Sequence, residues 1–186
     1  MRIGLFGGTF DPPHKAHVAI VENAINILDK IIIMPNRTSP EENKTSIAPA
    51  GQRTEMLNLV FNHNKVTIDD FEINSKNINY TYNSLKYLVK KYNKDNIVLI
   101  IGEDQINKLS NWYNADWILN HIEILCFKRT KTTSNFKTNF LKVRYVDFDM
   151  RVSSTDIRNR IKNNRDVENV LSKDVYNYIL KKGLYK

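Results

Sequence analysis

A chain of 186 residues, 41% hydrophobic and 26% charged, is long enough for one sizeable core and has the composition of a soluble globular protein. Its one cysteine, Cys126, excludes an internal disulfide framework and a cysteine-rich metal site, and the longest apolar run, IVLII at 97–101, is strand-sized rather than membrane-spanning. The net charge of +8 is lopsided, with nine Lys and Arg against four Asp and Glu in residues 151–186; this suits an anionic partner and equally a solvated, lysine-rich face.

In chain order, RIGLF (2–6) reads as a first strand, and the spacing of Ala16, Ala19, Ile20, Ala24, Ile27 and Leu28 predicts a helix after it. KIIIMP (30–35) is a second strand, a helix follows over 51–62, and KVTIDDF (65–71) is a third strand. Helix 81–92, strand 96–101, helix 113–120, strand 122–127 and strand 143–148 continue the alternation. SSTDIRNRI and DVYNYILKKG then give an all-helical C-terminal part, about 151–186, whose last helix stops at Gly183. Strands and helices in alternation predict a Rossmann-like α/β fold: an open parallel sheet with helices on both faces, as a single domain over 1–186. The polar stretches 36–50 and 128–142 are long for connections, which marks them as working loops. The opening MRIGLFGG lacks the apolar stretch and cleavage site of a secretory signal, so a cytoplasmic setting is expected.

GLFGGTFDPPHKAH (4–17) demands more than a connection would. In open parallel sheets the ligand crevice lies beyond the carboxyl ends of the strands, where Gly7, Gly8, Thr9 and Phe10 stand. The glycines allow close backbone approach and a positive φ, and Thr9 offers a hydroxyl and an amide to a phosphate oxygen. Asp11-Pro12-Pro13 forces a turn into the next helix, whose amino end is an anion site. His14 and His17, three apart, share one face there. Two imidazoles are too few for a zinc site, and neither the phosphate loop of ATPases nor a spaced glycine triplet is present. Late in the chain, Ser153, Ser154 and Thr155 precede a helix, with Asp156 at capping-box spacing; their hydroxyls cap it, bind phosphate, or both. Arg158, one turn in, can clamp phosphate oxygens bidentately.

Together these stretches carry a resemblance. GGTFDPPHKAH resembles the front motif of the nucleotidyltransferases with an HxGH element, with Ala16 in place of the glycine, and VSSTDIRNRI resembles their second motif. IIIMPNRTSP, GQRTEML, NYTYNSL, IIGEDQINKLSNWYNADWIL and CFKR are similar, in collinear order, to segments of the bacterial nicotinate-nucleotide adenylyltransferase family. The resemblance implies AMP transfer from ATP to nicotinate mononucleotide, giving deamido-NAD and pyrophosphate, with Mg²⁺ held by the substrate phosphates. It implies His17 and His14 at the phosphates, contacts from Ser154, Thr155, Arg158 and Arg129, and Gly102 and Asp104 at the end of the fourth strand. On the acceptor side it implies Trp112 stacked on the pyridine, with Tyr113, Thr81, Asn36 and Lys44 around the mononucleotide. An indole at Trp112 is also an ordinary core residue, Asp104 an ordinary helix cap, and SPEENK departs from the family loop, leaving Lys44 as a stand-in for its lysine.

The implied partners are the two small molecules, with no nucleic acid or membrane, and oligomeric state is left open. The phosphate machinery equally serves a sibling using nicotinamide mononucleotide or phosphopantetheine, or one moving CMP to an alcohol phosphate. A different class, a basic nucleic-acid-binding module, has the charge of residues 151–186 with Tyr176, Tyr178 and Tyr185 in its favour.

Overall fold

The computed structural model describes residues 1–38, 47–76, 78–93, 96–128 and 142–186. Its sheet consists of β1 (Ile3–Gly8), β2 (Lys30–Pro35), β3 (Val66–Ile68), β4 (Ile97–Gly102), β5 (Glu123–Lys128) and β6 (Val143–Asp147). The order is β3-β2-β1-β4-β5-β6, and every pairing is parallel. Around it lie α1 (Lys15–Ile25), α2 (Ala50–Val60), α3 (Phe71–Asn74), α4 (Thr81–Lys91), α5 (Glu103–Ile106), α6 (Ala115–His121), α7 (Ser154–Lys162) and α8 (Lys173–Lys182). The expected Rossmann-like α/β sheet is the one found.

Alternation of side chains across the pleat divides the core in two. Ile3, Leu5, Ile32, Met34, Leu99, Ile101 and Ile124 pack on Leu85 and Leu88 of α4 and Ile118 of α6. On the other face Phe6, Ile31, Ile33, Val98, Ile100 and Leu125 pack on Ala16, Ile20, Val21 and Ala24 of α1 and Leu57 of α2. Burial on both faces explains why these strands read as continuous apolar runs. Gly4 is part of this packing: a Cβ there would stand 2.6 Å from side-chain atoms of Ile100 and Leu28. A third cluster joins Ala48 and Met56 to Ile157, Val167, Leu171, Val175, Ile179 and Tyr185, so the late helices rest on α2.

Two sequence expectations need correction. The third strand is not 65–71 but Val66–Ile68, because Asp69 accepts the N–H of Phe71 (3.0 Å) and the chain turns into α3. The positive φ expected of the front glycines falls instead on Phe10 (φ 51), since Gly7 and Gly8 complete β1 in register with Met34 and Pro35. What Gly7 contributes is space: a Cβ there would meet nothing nearer than the Met34 carbonyl, at 4.0 Å.

Candidate active site

Strand order reverses between β1 and β4, and their connections leave toward opposite sides of the sheet, which opens a crevice at the carboxyl ends of both strands. A hollow of about 720 Å³ lies there. One wall is the front turn with α7; the other is the β2 end, the start of α4 and the segment around Trp112.

The front wall gathers Gly7, Gly8, Thr9, Phe10, His14 and His17, faced by Ser154, Thr155 and Arg158. His14 is the N-cap of α1 and His17 its N3 residue, and their rings stack at 3.6 Å between centroids. The backbone N–H of His14 donates to Nδ1 of His17 at 3.2 Å. An imidazole accepting through Nδ1 carries its proton on Nε2, so this contact fixes both tautomer and ring plane. The first turn of α1 offers fewer amides than expected: Lys15 N–H goes to the Val170 carbonyl (2.9 Å) and His17 N–H to that of His14 (2.8 Å). The imidazoles, rather than the helix end alone, are therefore the donors on this side.

Two direct bonds join the front turn to α7. Ser154 Oγ donates to the Pro12 carbonyl (3.0 Å), and Arg158 Nη1 donates to the Asp11 carbonyl (2.8 Å). Arg158 Nη2 donates to Thr155 Oγ1 at 3.0 Å, which orients the planar fork along the helix edge. Of the expected capping box only one half exists: Ser153 Oγ accepts the Asp156 N–H (3.1 Å), whereas the Asp156 carboxylate pairs with Arg160 instead. Helix α7 starts at Ser154, so Ser154 and Thr155 lie in its first turn, where amides have no partner within the helix.

The opposite wall carries Asn36, Thr81, Gly102, Asp104, Trp112 and Tyr113. Asn36 closes β2: its N–H reaches the Gly8 carbonyl (3.0 Å) and its Nδ2 donates to Thr9 Oγ1 (3.3 Å). No described residue donates to its buried Oδ1. An acceptor left in that state beside a hollow suits a ligand hydroxyl. Thr81 is the first residue of α4, which brings that helix's amino end to the wall. Trp112 is partly buried against the core, and Tyr113, 52% exposed, has its ring 4.8 Å from Tyr80. Gly102 stands at the end of β4, and a Cβ there would lie 2.8 Å from Asp104 Oδ1, so the space serves the carboxylate's return over the strand end. Asp104 is not the cap of α5, whose N-cap is Gly102. Lys44 and Arg129, and most of the two long loops, lie outside the described residues.

Several supporting residues are absent from the sequence reading of the site. Arg53 of α2 is fully buried and donates to the carbonyls of Ala48 (3.2 Å), Thr9 (2.6 Å) and Asn36 (2.7 Å). It thus ties the end of β1 to the end of β2. Burial pushes its pKa down, opposed by nearby Asp11 and Tyr185. Asn79 Oδ1 accepts from the N–H groups of Arg37 (3.0 Å) and Thr38 (3.2 Å), holding the chain after β2 against the approach to α4. Glu72 lines the hollow, is 6% exposed and accepts from the Ser84 hydroxyl; burial pushes its carboxyl up to about 7 despite that bond. Arg53 was legible in part, since Arg53, Met56, Leu57 and Val60 fall at helical spacing on one face.

Among the described residues no three His, Cys, Asp or Glu side chains converge as a metal cage, and no helix is long and apolar enough to cross a membrane.

Comparison with known proteins gives the family and the fold. The family described as cytidylyltransferase-like matches residues 5–160. The chain is 35% identical to "Probable nicotinate-nucleotide adenylyltransferase" of Clostridium botulinum (strain Hall), covering 98% of both chains. It is 37% identical to the protein of the same name from Aliarcobacter butzleri, covering 87% of this chain and 88% of that one. In fold it is similar to Plasmodium falciparum nicotinic acid mononucleotide adenylyltransferase complexed with NaAD, with a TM-score of 0.83 at 20% identity over 99% of this chain and 97% of that one.

Proposed function

Because the chain belongs to the cytidylyltransferase-like family, we propose that it transfers AMP from ATP to nicotinate mononucleotide, releasing pyrophosphate and forming deamido-NAD. One observation carries this: the His14/His17 turn and the Ser154/Arg158 helix start are hydrogen-bonded to each other across one end of a single hollow, and an aromatic wall with a helix end faces them. Full-length relatives of the same stated activity support the acceptor.

The chemistry asks little of a base. The acceptor's phosphate monoester is already anionic near neutral pH, since its second pKa is about 6. Its oxygen attacks the α-phosphorus of ATP, a new P–O bond forms, and the bond to the β-phosphate breaks with its electron pair leaving on pyrophosphate. No proton needs to move. The task is to position two polyanions and to stabilise charge that grows on the α-phosphate and the leaving group. His17, with its proton fixed on Nε2, donates to the α-phosphate; His14, stacked on it, holds the phosphate chain alongside. Arg158, Thr155 and Ser154 take the remaining phosphates from the α7 side, with Gly7, Gly8, Thr9 and Phe10 beneath them. Gly102 and Asp104 border the nucleoside.

On the opposite wall Trp112 stacks on the pyridine ring, and the amino end of α4 at Thr81 with the segment at Tyr113 receives its carboxylate. Asn36 Oδ1 accepts a hydroxyl of the mononucleotide, and Lys44 and Arg129 would join from the two loops. Mg²⁺ enters as Mg·ATP: a small hard cation that keeps most of its waters is served by phosphate oxygens without a protein cage. The enzyme works as a single domain over 1–186, in the cytoplasm.

The deciding experiment supplies Mg·ATP with nicotinate mononucleotide, nicotinamide mononucleotide or phosphopantetheine in separate reactions and identifies products by mass. Rapid dinucleotide formation with the first alone is expected. Preference for either other acceptor replaces the substrate assignment, and no transfer to any of them removes the reaction.

A further inference from the structure

Asp11 belongs to the front turn, is 2% exposed, and meets the chain before α2, Arg158 of α7 and the chain beyond α8. Its Oδ2 accepts the Ile47 N–H at 2.8 Å, and its Oδ1 accepts the Ala48 N–H at 3.1 Å and the Tyr185 hydroxyl at 2.7 Å. Tyr185 itself is 6% exposed and stands beyond Gly183, with both residues in the left-handed region (φ 64). Burial and the neighbouring carboxylate push the Tyr185 hydroxyl's pKa far up, so it remains a donor throughout the physiological range.

Arg158 completes the arrangement. Its Nη1 bonds the Asp11 carbonyl, yet stands 4.0 Å from Asp11 Oδ2, beyond hydrogen-bond reach. Coulomb attraction and the preference of guanidinium for carboxylate both favour closing that gap into a buried pair. Closing it would pull the Arg158 fork from its place along Thr155 toward Asp11. What opposes closure is orientation: three donors, one of them the Tyr185 hydroxyl, hold the carboxylate with Oδ2 4.0 Å from Arg158.

We infer that Tyr185 is a positioning residue for ATP: by holding Asp11 Oδ1 it fixes the carboxylate's orientation, so that Oδ2 stays short of Arg158 and the guanidinium keeps its place for the substrate phosphates. The inference rests on the assignment of this wall to the triphosphate. Without the hydroxyl, a buried carboxylate is short of a donor, and the mobile donor nearest to it is Arg158. A displacement near 1 Å suffices, and misplacements of that size are costly to polyanion binding and turnover.

The test is a double-mutant cycle on Tyr185→Phe and Arg158→Ala, read as binding of a non-hydrolysable ATP analogue by calorimetry and as KM for each substrate. Tyr185→Phe should weaken the analogue roughly tenfold and raise KM for ATP similarly, leaving KM for the acceptor within about twofold. In the Arg158→Ala background the same change should cost less than about twofold. Equal losses in both backgrounds, equal damage to the acceptor KM, or unchanged affinity of the single variant would each overturn the inference. Should Tyr185→Phe fold poorly, truncation after Leu184 runs through the same cycle, with suppression by Arg158→Ala again required. A wild-type protein that binds the analogue yet forms no dinucleotide removes the proposed reaction while leaving this test readable.

Discussion

The two walls of the hollow are built by different means. The front wall is polar and cross-tied: His17 is held by a backbone N–H with His14 stacked on it, Ser154 and Arg158 reach the carbonyls of Pro12 and Asp11 from a distant part of the chain, and Thr155 is held by Arg158. The opposite wall is largely aromatic, with Tyr80 at the start of α4 meeting Tyr113 beside Trp112 through ring contact. A wall that must meet charge developing on phosphorus needs donors held within tenths of an ångström, which buried bonds supply. A wall that grips a flat ring needs area and a dipole, which tolerate looser construction. Arg53 links them, with one donor on each strand end.

Substitutions should separate the walls. The largest effect is expected from His17→Ala: turnover should fall by about 10²–10³ while ATP binding changes a few-fold, because the donor works hardest when charge has developed. Turnover within a few-fold of wild type would take His17 out of the reaction. Arg53→Met should act on both walls together, since three carbonyls lose their donor. A stability loss of roughly 3 kcal/mol in denaturant unfolding is expected, along with weakened affinity for both substrates. Damage to one substrate alone would mean that the strand ends are held independently.

The smallest effect at neutral pH on catalysis is expected at Glu72 on the aromatic side, where the readout is stability against pH. Its folded-state pKa, about 7, lies above the ordinary 4.5, so its contribution to stability is fully present below 4.5 and is lost as pH rises through 7. Glu72→Gln cannot ionise and keeps an acceptor for Ser84. The variant should match wild type near pH 4.5 and exceed it increasingly toward pH 8, by up to about 3 kcal/mol. Parallel unfolding curves across that interval would show that Glu72 is ionised in the fold.

Much of this was legible in the residues because it is local. The strand runs, the His-x-x-His spacing and the Ser-Ser-Thr start of α7 are short patterns whose geometry follows from periodicity. The third strand misled because Val66 and Ile68 continue into Asp69 and Asp70, where side-chain acceptors to the backbone compete with the ladder. The positive φ at Phe10 has no sequence signal, because the glycines two and three positions before it are the residues that ordinarily take that conformation. The bonds joining Asp11 to Ile47 and Tyr185 and Arg53 to Thr9 are another matter: they span 36 to 174 positions, and no local pattern pairs residues over that span.

Those distances along the chain also order events in time. The front turn leaves the ribosome early, but the donors that brace it at Ser154, Arg158 and Tyr185 follow 142 to 174 residues later. At ordinary translation speeds that is a wait of roughly 10–30 s. A growing polypeptide therefore carries His14 and His17 long before the helices that brace their turn exist, and ATP captured by a nascent chain would report that the late helices have docked.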